Sequence, residues 1–167
     1  VDSVGMIIQS GPGLPGEFLS CGEENIFISG YIDHSGSEVK AYDPKEINKA
    51  IKIFQKAEID TTAVVTKFSV RNPHHEKQIY EQIKDYFTTI TLGHALSGKL
   101  NFPRRVYTSY YNSAVYNTFK VFSDSIMEAL KRENIKAPLY ILKADGGAVS
   151  LEMGKERPVE TILSGPA

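Results

Sequence analysis

The chain has 167 residues, 41% of them hydrophobic and 23% charged, with a formal net charge of −1. That length suffices for one domain with a sizeable core, and the near-neutral balance leaves no electrostatic footprint for nucleic acid or an anionic membrane. Cys21 is the single cysteine, which excludes an internal disulfide and fits a reducing cytoplasm; no apolar run approaches a membrane span and no basic-then-apolar leader opens the chain.

Val4–Gln9 reads as a strand centred on Ile7 and Ile8. It runs into Gly11-Pro12-Gly13-Leu14-Pro15-Gly16, a literal G-x-G-x-x-G. A dinucleotide fingerprint needs that loop to open a helix, whereas Pro12 and Pro15 remove two backbone donors and Gly22 follows closely, so a proline-stiffened turn is expected. Residues 25–33 alternate well enough for a strand. His34-Ser35-Gly36-Ser37 is turn-like, and residues 38–42 pair back as a hairpin. The first quarter therefore reads as antiparallel and polar.

From Asp43 the pattern changes. Asp43-Pro44-Lys45-Glu46 places a cap, a proline and an acid as a helix start demands, and Ile47, Ile51 and Phe54 then share one face. Residues 62–70 form a strand. Asn72-Pro73 repeats the cap-and-proline start, with helix from Pro73 and a stripe of Ile79, Ile83 and Tyr86 or Phe87. Residues 88–92 form another strand. Residues 102–134 hold a long helix with Val106, Tyr110, Ala114, Phe119, Phe122, Ile126 and Leu130 at helical spacing. Tyr107, Tyr110 and Tyr111 are expected to pack in its core-facing side, Lys131 and Arg132 suit its dipole, and Asn134 suits a left-handed cap before Pro138. The apolar residues 139–144 read as a doubly buried strand among the central strands of a parallel sheet, ending at Asp145-Gly146-Gly147. The fold class is α/β, a largely parallel sheet flanked by helices with a small antiparallel N-terminal part. Residues 1–42 form the antiparallel hairpin part and 43–167 the α/β part. The chain opens at Val1 without Met and stops inside a Gly-Pro segment, so together they are expected to be one domain excised from a longer protein.

Asp145, Gly146 and Gly147 fall at a strand's carboxyl end, the edge where open α/β sheets bind ligands, and the glycines let backbone approach a ligand closely. His94 also follows a strand. His74, His75 and Glu76 invite a metal, but adjacent helical side chains diverge, so no metal site is assigned. Arg104 and Arg105 lie near a helix start, where cations are disfavoured, which points to a carboxylate or anionic partner.

Five pieces in order carry a resemblance: Asn72-Pro73-His74-His75-Glu76; Thr91-Leu92-Gly93-His94; Arg105 seven residues before Asn112; Asp145-Gly146-Gly147; and Glu156-Arg157-Pro158-Val159-Glu160-Thr161-Ile162-Leu163-Ser164-Gly165-Pro166-Ala167. From about Tyr42 to Ala167 the chain resembles the ATP-dependent, actin-like subunit of the hydantoinase/oxoprolinase family, departing from it where Asp145 replaces the usual Asn and Gly93 the usual Ser. The resemblance implies a ribonuclease H-like, actin-like ATPase lobe from an enzyme that opens cyclic amides of the hydantoin or 5-oxoproline type. Relatives that carboxylate small ketones are one alternative; a non-catalytic interaction module docking through the first quarter is another. The resemblance also implies ATP and Mg²⁺ for the full-length protein and none bound to this piece, because the phosphate-binding hairpins of such a subunit would lie outside it. Expected partners are a small cyclic amide and a second hydantoinase-type subunit, with neither nucleic acid nor membrane. The positions carried over as cleft-lining are Asp145, Gly146, Gly147, Ser164, Gly165 and Pro166, followed by Arg105, Asn112 and His94. No catalytic residue is implied.

Overall fold

In the computed structural model, which describes residues 2–143 and 145–162, the chain divides into two compact units, Ser3–Ala114 and Val115–Ala167 with Val1–Asp2. The first is built on the strand read from the first apolar run. β1 (Val4–Gln9) is buried along its whole length because it has neighbours on both sides: β2 (Glu24–Phe27) and β5 (Thr61–Thr66) pair with it in parallel, and β6 (Thr89–Leu92) extends the sheet beyond β5. The order is β2-β1-β5-β6, all parallel.

Strand alternation sends Ile7 and Val64 to one face, where Ile47, Ile51 and Phe54 of α1 (Pro44–Lys56) and Ile79 and Ile83 of α2 (His74–Ile83) cover them. Met6, Ile8, Ala63 and Val65 face the other way, onto Phe102, Val106 and Ala114 of α4 (Phe102–Arg132). The result is a helix–sheet–helix sandwich. Gly5 makes the packing possible: a Cβ there would stand 2.7 Å from the Phe54 ring.

Asp43 caps α1 as expected, its carboxylate accepting from Lys45 N at 2.9 Å. α2 starts one residue later than expected, at His74, yet Asn72 Oδ1 still accepts from its first amide at 3.0 Å, and Phe87, not the exposed Tyr86, completes the buried stripe. Asn134 takes the left-handed conformation (φ 54°), and Ile135 N donates back to Leu130 O at 2.8 Å, closing α4. Of the three tyrosines, Tyr110 packs on the core while Tyr107 and Tyr111 stay exposed.

The structure changes four further expectations. Residues 25–33 are not one strand: β2 joins the parallel sheet, and a turn at Gly30 (φ 81°) separates it from β3 (Tyr31–Ile32). Only β3 and β4 (Glu38–Lys40) form the antiparallel hairpin, about the turn of residues 33–37. β5 stops at Thr66, because Phe68 turns the chain with a φ of 62°. The fourth change concerns residues 139–144. Among the described residues β7 (Tyr140–Leu142) pairs only with β8 (Ala148–Ser150), antiparallel, and Tyr140 is 64% exposed. It is therefore an exposed hairpin strand in the second unit and not a central strand of the parallel sheet. An apolar run shows fitness for burial, but the tight Asp145–Gly147 turn pairs it with its immediate successor. α5 (Leu151–Glu156) follows, started by Ser150, whose Oγ accepts from Met153 N. A one-turn helix, α3 (Gly93–Leu96), completes the set in the first unit.

The connectivity positions the site. From β1 the chain leaves towards β2, then returns through β3, β4 and α1 to β5 on the opposite side of β1; from β5 it leaves through α2 to β6. The loops after β1 and β5 thus depart in opposite directions, opening a crevice at the carboxyl edge where such sheets bind ligands.

Candidate functional site: the carboxyl edge of the sheet

Two consecutive buried residues of α2, His75 and Glu76, organise this edge. Gln9, last in β1, donates from Nε2 to Ser29 O at 2.8 Å, which turns its Oε1 towards His75 Nδ1 at 2.9 Å. The other ring nitrogen, Nε2, meets Glu38 Oε2 of β4 at 2.7 Å. With one ring nitrogen on Gln9 and the other on Glu38, His75 clamps the β3–β4 hairpin to the end of β1. Tyr42 packs edge-on against the ring at 5.5 Å. His74, one residue earlier, is exposed, as the divergence of adjacent helical side chains requires. Among the described residues no group of three or more His, Cys, Asp or Glu is placed to hold a metal ion.

Glu76 closes the other half of the edge. Its Oε1 accepts from Thr66 N at 2.8 Å; its Oε2 accepts from His94 N at 2.9 Å and faces His94 Nδ1 at 2.5 Å. The one carboxylate thus engages the ends of β5 and α3 together, and Nδ1 is the His94 nitrogen turned towards it. The His94 ring is partly exposed, and its other nitrogen, Nε2, is not part of the Glu76 contact. Gly93 permits this contact: a Cβ there would stand 2.8 Å from Val65 Cγ1 and 3.2 Å from Glu76 Oε1.

Arg105 is fully buried. It donates to Lys99 O at 2.9 Å and Thr66 O at 3.0 Å and packs over the Phe102 ring at 5.5 Å. Burial pulls its guanidinium below the usual range, and the Glu76 charge opposes that shift. The expected carboxylate partner thus exists as a charge nearby, while its direct bonds go to carbonyls. Asn112 Nδ2 donates to Thr91 Oγ1 at 3.3 Å, beside Ser113 Oγ at 2.8 Å from the same oxygen, which fastens α4 to β6. His94, Arg105 and Asn112 are therefore assembled around the ends of β5 and β6. Gln9, Glu38, His75 and Glu76, which sequence reasoning did not assign to the site, belong to the same edge. The Asn72–Glu76 piece carried that signal, but only the pairing of β1 and β5 shows where it points.

Asp145, Gly146 and Gly147 lie in the second unit as the turn between β7 and β8. Lys143 N donates to Gly147 O at 2.7 Å, Gly146 N to Lys143 O at 3.0 Å, and Gly147 N to Asp145 Oδ1 at 3.0 Å. The Gly147 amide and the Lys143 ammonium, 3.0 Å from Oδ2, hold the exposed Asp145 carboxyl below the usual range. Gly146 has φ 80° and open space where a Cβ would project. Ser164, Gly165 and Pro166 lie outside the described residues.

Sequence profiles match on both sides of this edge. The hydantoinase/oxoprolinase N-terminal region matches residues 8–87, and hydantoinase/oxoprolinase matches residues 105–167. The chain belongs to the hydantoinase/oxoprolinase family. Among curated relatives it is 25% identical over 142 residues to the caprolactamase subunit alpha of Pseudomonas jessenii, covering 84% of this chain, and 23% identical over 138 residues to an uncharacterized protein of Methanocaldococcus jannaschii, covering 81%. It spans 20% of the length of either relative. The fold is that of the ATP-dependent caprolactamase from Pseudomonas jessenii (TM-score 0.80, 23% identity) and of nucleotide-free acetone carboxylase (TM-score 0.78, 14% identity), with 98% of this chain and 27% of the other covered in each case.

Proposed function

We propose that the chain is part of an ATP-dependent hydrolase of cyclic amides of the hydantoin or 5-oxoproline type and contributes to the nucleotide and substrate cleft of the full-length subunit. The observation that carries this reading is the match of two consecutive family regions over most of the chain, joined to the fold of an ATP-dependent caprolactamase. A plain amide is a poor electrophile; a nucleoside triphosphate, with Mg²⁺, would supply the activation that lets water open the ring. The described residues do not by themselves form a phosphate cradle, since the amides of Gly146 and Gly147 are already engaged within their hairpin. Asp145, Gly146 and Gly147, with Ser164, Gly165 and Pro166, are the positions this reading assigns to the cleft of the full-length subunit; in the first unit, taken by itself, the positions assigned are His94, Arg105 and Asn112. A second hydantoinase-type subunit is the expected protein partner.

The likeness to acetone carboxylase supports a second reading, an ATP-dependent ketone carboxylase subunit. Both are tested in one assay. The full-length protein, with its partner subunit, receives ATP and Mg²⁺ with a cyclic amide, or with a ketone and bicarbonate; phosphate release and carbon product are followed together. Ring-opened amino acid is the expected product. Carboxylated ketone in its place, or phosphate release that no cyclic amide stimulates, would overturn the hydrolase reading. Gly146→Val should abolish turnover in the full-length protein, and Gly146→Asn, whose side chain tolerates a positive φ, separates backbone strain from added bulk. Full activity in the valine variant removes the glycine pair from the cleft.

A further inference from the structure

The crevice between the ends of β1 and β5 is a built pocket. It holds about 180 Å³ and is lined by Gly11 and Pro12 after β1, Lys67 and Phe68 after β5, and Tyr31 and Asp33 of the hairpin that roofs it. This is the point where the two loops depart in opposite directions, the place an open parallel sheet offers a ligand.

Three observations say what it accepts. The first is strain. Phe68 holds a φ of 62°, which a bulky side chain rarely adopts, and it is kept there by bonds from Arg71 N at 2.8 Å and Asn72 N at 3.2 Å to its carbonyl. Such conformations persist where the surroundings enforce them, and they cluster at ligand sites. The second is charge. Asp33 spends Oδ1 on Ser35 N, Ser35 Oγ and Ser37 N, leaving Oδ2 without a hydrogen bond among the described residues. Lys67 Nζ spends one proton on Pro12 O at 3.1 Å and keeps two. The pocket thus presents an acceptor in Asp33 Oδ2 and a cationic donor in Lys67 Nζ, with the His34 imidazole also in its lining. The third is shape: the Tyr31 and Phe68 side chains line a volume fit for one small ring. The hairpin roof is pinned by Glu38 on His75 and by Asn72 Nδ2 on Gly36 O at 2.9 Å, so the pocket is preformed.

From these we infer that the β1/β5 crevice is the binding pocket for the cyclic amide itself. An amide in a small ring is cis, with its C=O and N–H side by side on one edge. Lys67 takes the carbonyl, Asp33 Oδ2 takes the N–H, and Tyr31 and Phe68 flank the ring. This rests on the cyclic-amide reading above for the ligand class, though not for the pocket.

The test is binding to the full-length protein, by calorimetry, of 2-pyrrolidinone and of N-methyl-2-pyrrolidinone, which lacks the N–H. The N-methyl ring should bind roughly tenfold more weakly, the effect of one lost hydrogen bond. Lys67→Met and Asp33→Asn should each weaken 2-pyrrolidinone by about the same factor, while Lys67→Arg keeps most of the affinity; asparagine retains the Oδ1 that the hairpin turn needs. Equal binding of the two lactams, unchanged affinity in both variants, or no lactam binding at all overturns the pocket. Should a variant fail to fold, the two lactams on the unsubstituted protein still decide. Ring opening with ATP whose KM ignores Lys67 and Asp33 leaves the hydrolase reading standing and removes this site. Lactam binding sensitive to Lys67 without ATP-driven ring opening keeps the site and removes the hydrolase.

Discussion

Glu76 ties β5 and α3 to α2 through three hydrogen bonds accepted by a carboxylate with no exposed surface. Removing it strands three donors, so Glu76→Ala should cost about 3 kcal/mol or more in chemical unfolding, whereas Glu76→Gln, which fills the same volume and keeps one acceptor for Thr66 N or His94 N but not for both, should cost less than alanine. Equal losses would mean that the carboxylate's charge and second acceptor, which both variants lose, dominate over the cavity that only alanine leaves. Gly93 belongs to the same construction: the family's usual Ser would press on Val65 and Glu76 here. Cys21 obeys simpler physics. Burial pushes its thiol up to about 11 from 9.0, so the thiolate is scarce in the folded chain well past neutrality. Alkylation at mildly alkaline pH should be on the order of a hundredfold slower than in the unfolded chain, and equal rates would place the thiol in solvent.

At the scale of elements, local chemistry and tertiary ties can be separated. Among the described residues the Asp43 carboxylate accepts one hydrogen bond, from Lys45 N, so Asp43→Ala should cost about 1 kcal/mol, the value of a plain cap. Asn72 serves two masters, capping through Oδ1 and holding Gly36 O through Nδ2. Asn72→Ala should therefore cost more than Asp43→Ala, and it should also speed hydrogen exchange in the β3–β4 hairpin, which Asp43→Ala leaves alone. Identical effects of the two alanines would reduce Asn72 to a cap. Asn72→Asp, which keeps the cap and loses the donor, isolates the hairpin tie.

For the whole molecule, the chain spans 20% of its curated relatives, and the amides of its one described glycine pair are spent on a hairpin. Titration of the 167-residue chain with ATP and Mg²⁺ should show no saturable heat into the millimolar range, because phosphate binding needs several converging N–H groups and a cation. Micromolar binding would place a complete nucleotide site within the chain. Among the described residues no helix is long and apolar enough to cross a membrane.

What the amino-acid sequence determined by itself is what depends on near neighbours along the chain. The Asp43 cap, the stripe of Ile47, Ile51 and Phe54, the left-handed Asn134 and the strands at 4–9 and 89–92 all follow from side-chain periodicity and turn chemistry within a few residues. The family resemblance was legible for a different reason, since ordered motifs persist in sequence whatever their contacts. Partner choice depends on surfaces far apart in the chain, and only the tertiary structure decided it. Residues 139–144 are as apolar as a central strand, yet their turn hands them to β8, while the polar-looking β2 is drawn into the parallel sheet by β1. Likewise His75, Glu76 and Glu38 read as helix-end and hairpin charges. They become a site only because parallel pairing brings Gln9 and Thr66 to one edge, where burial leaves each of those groups needing the others.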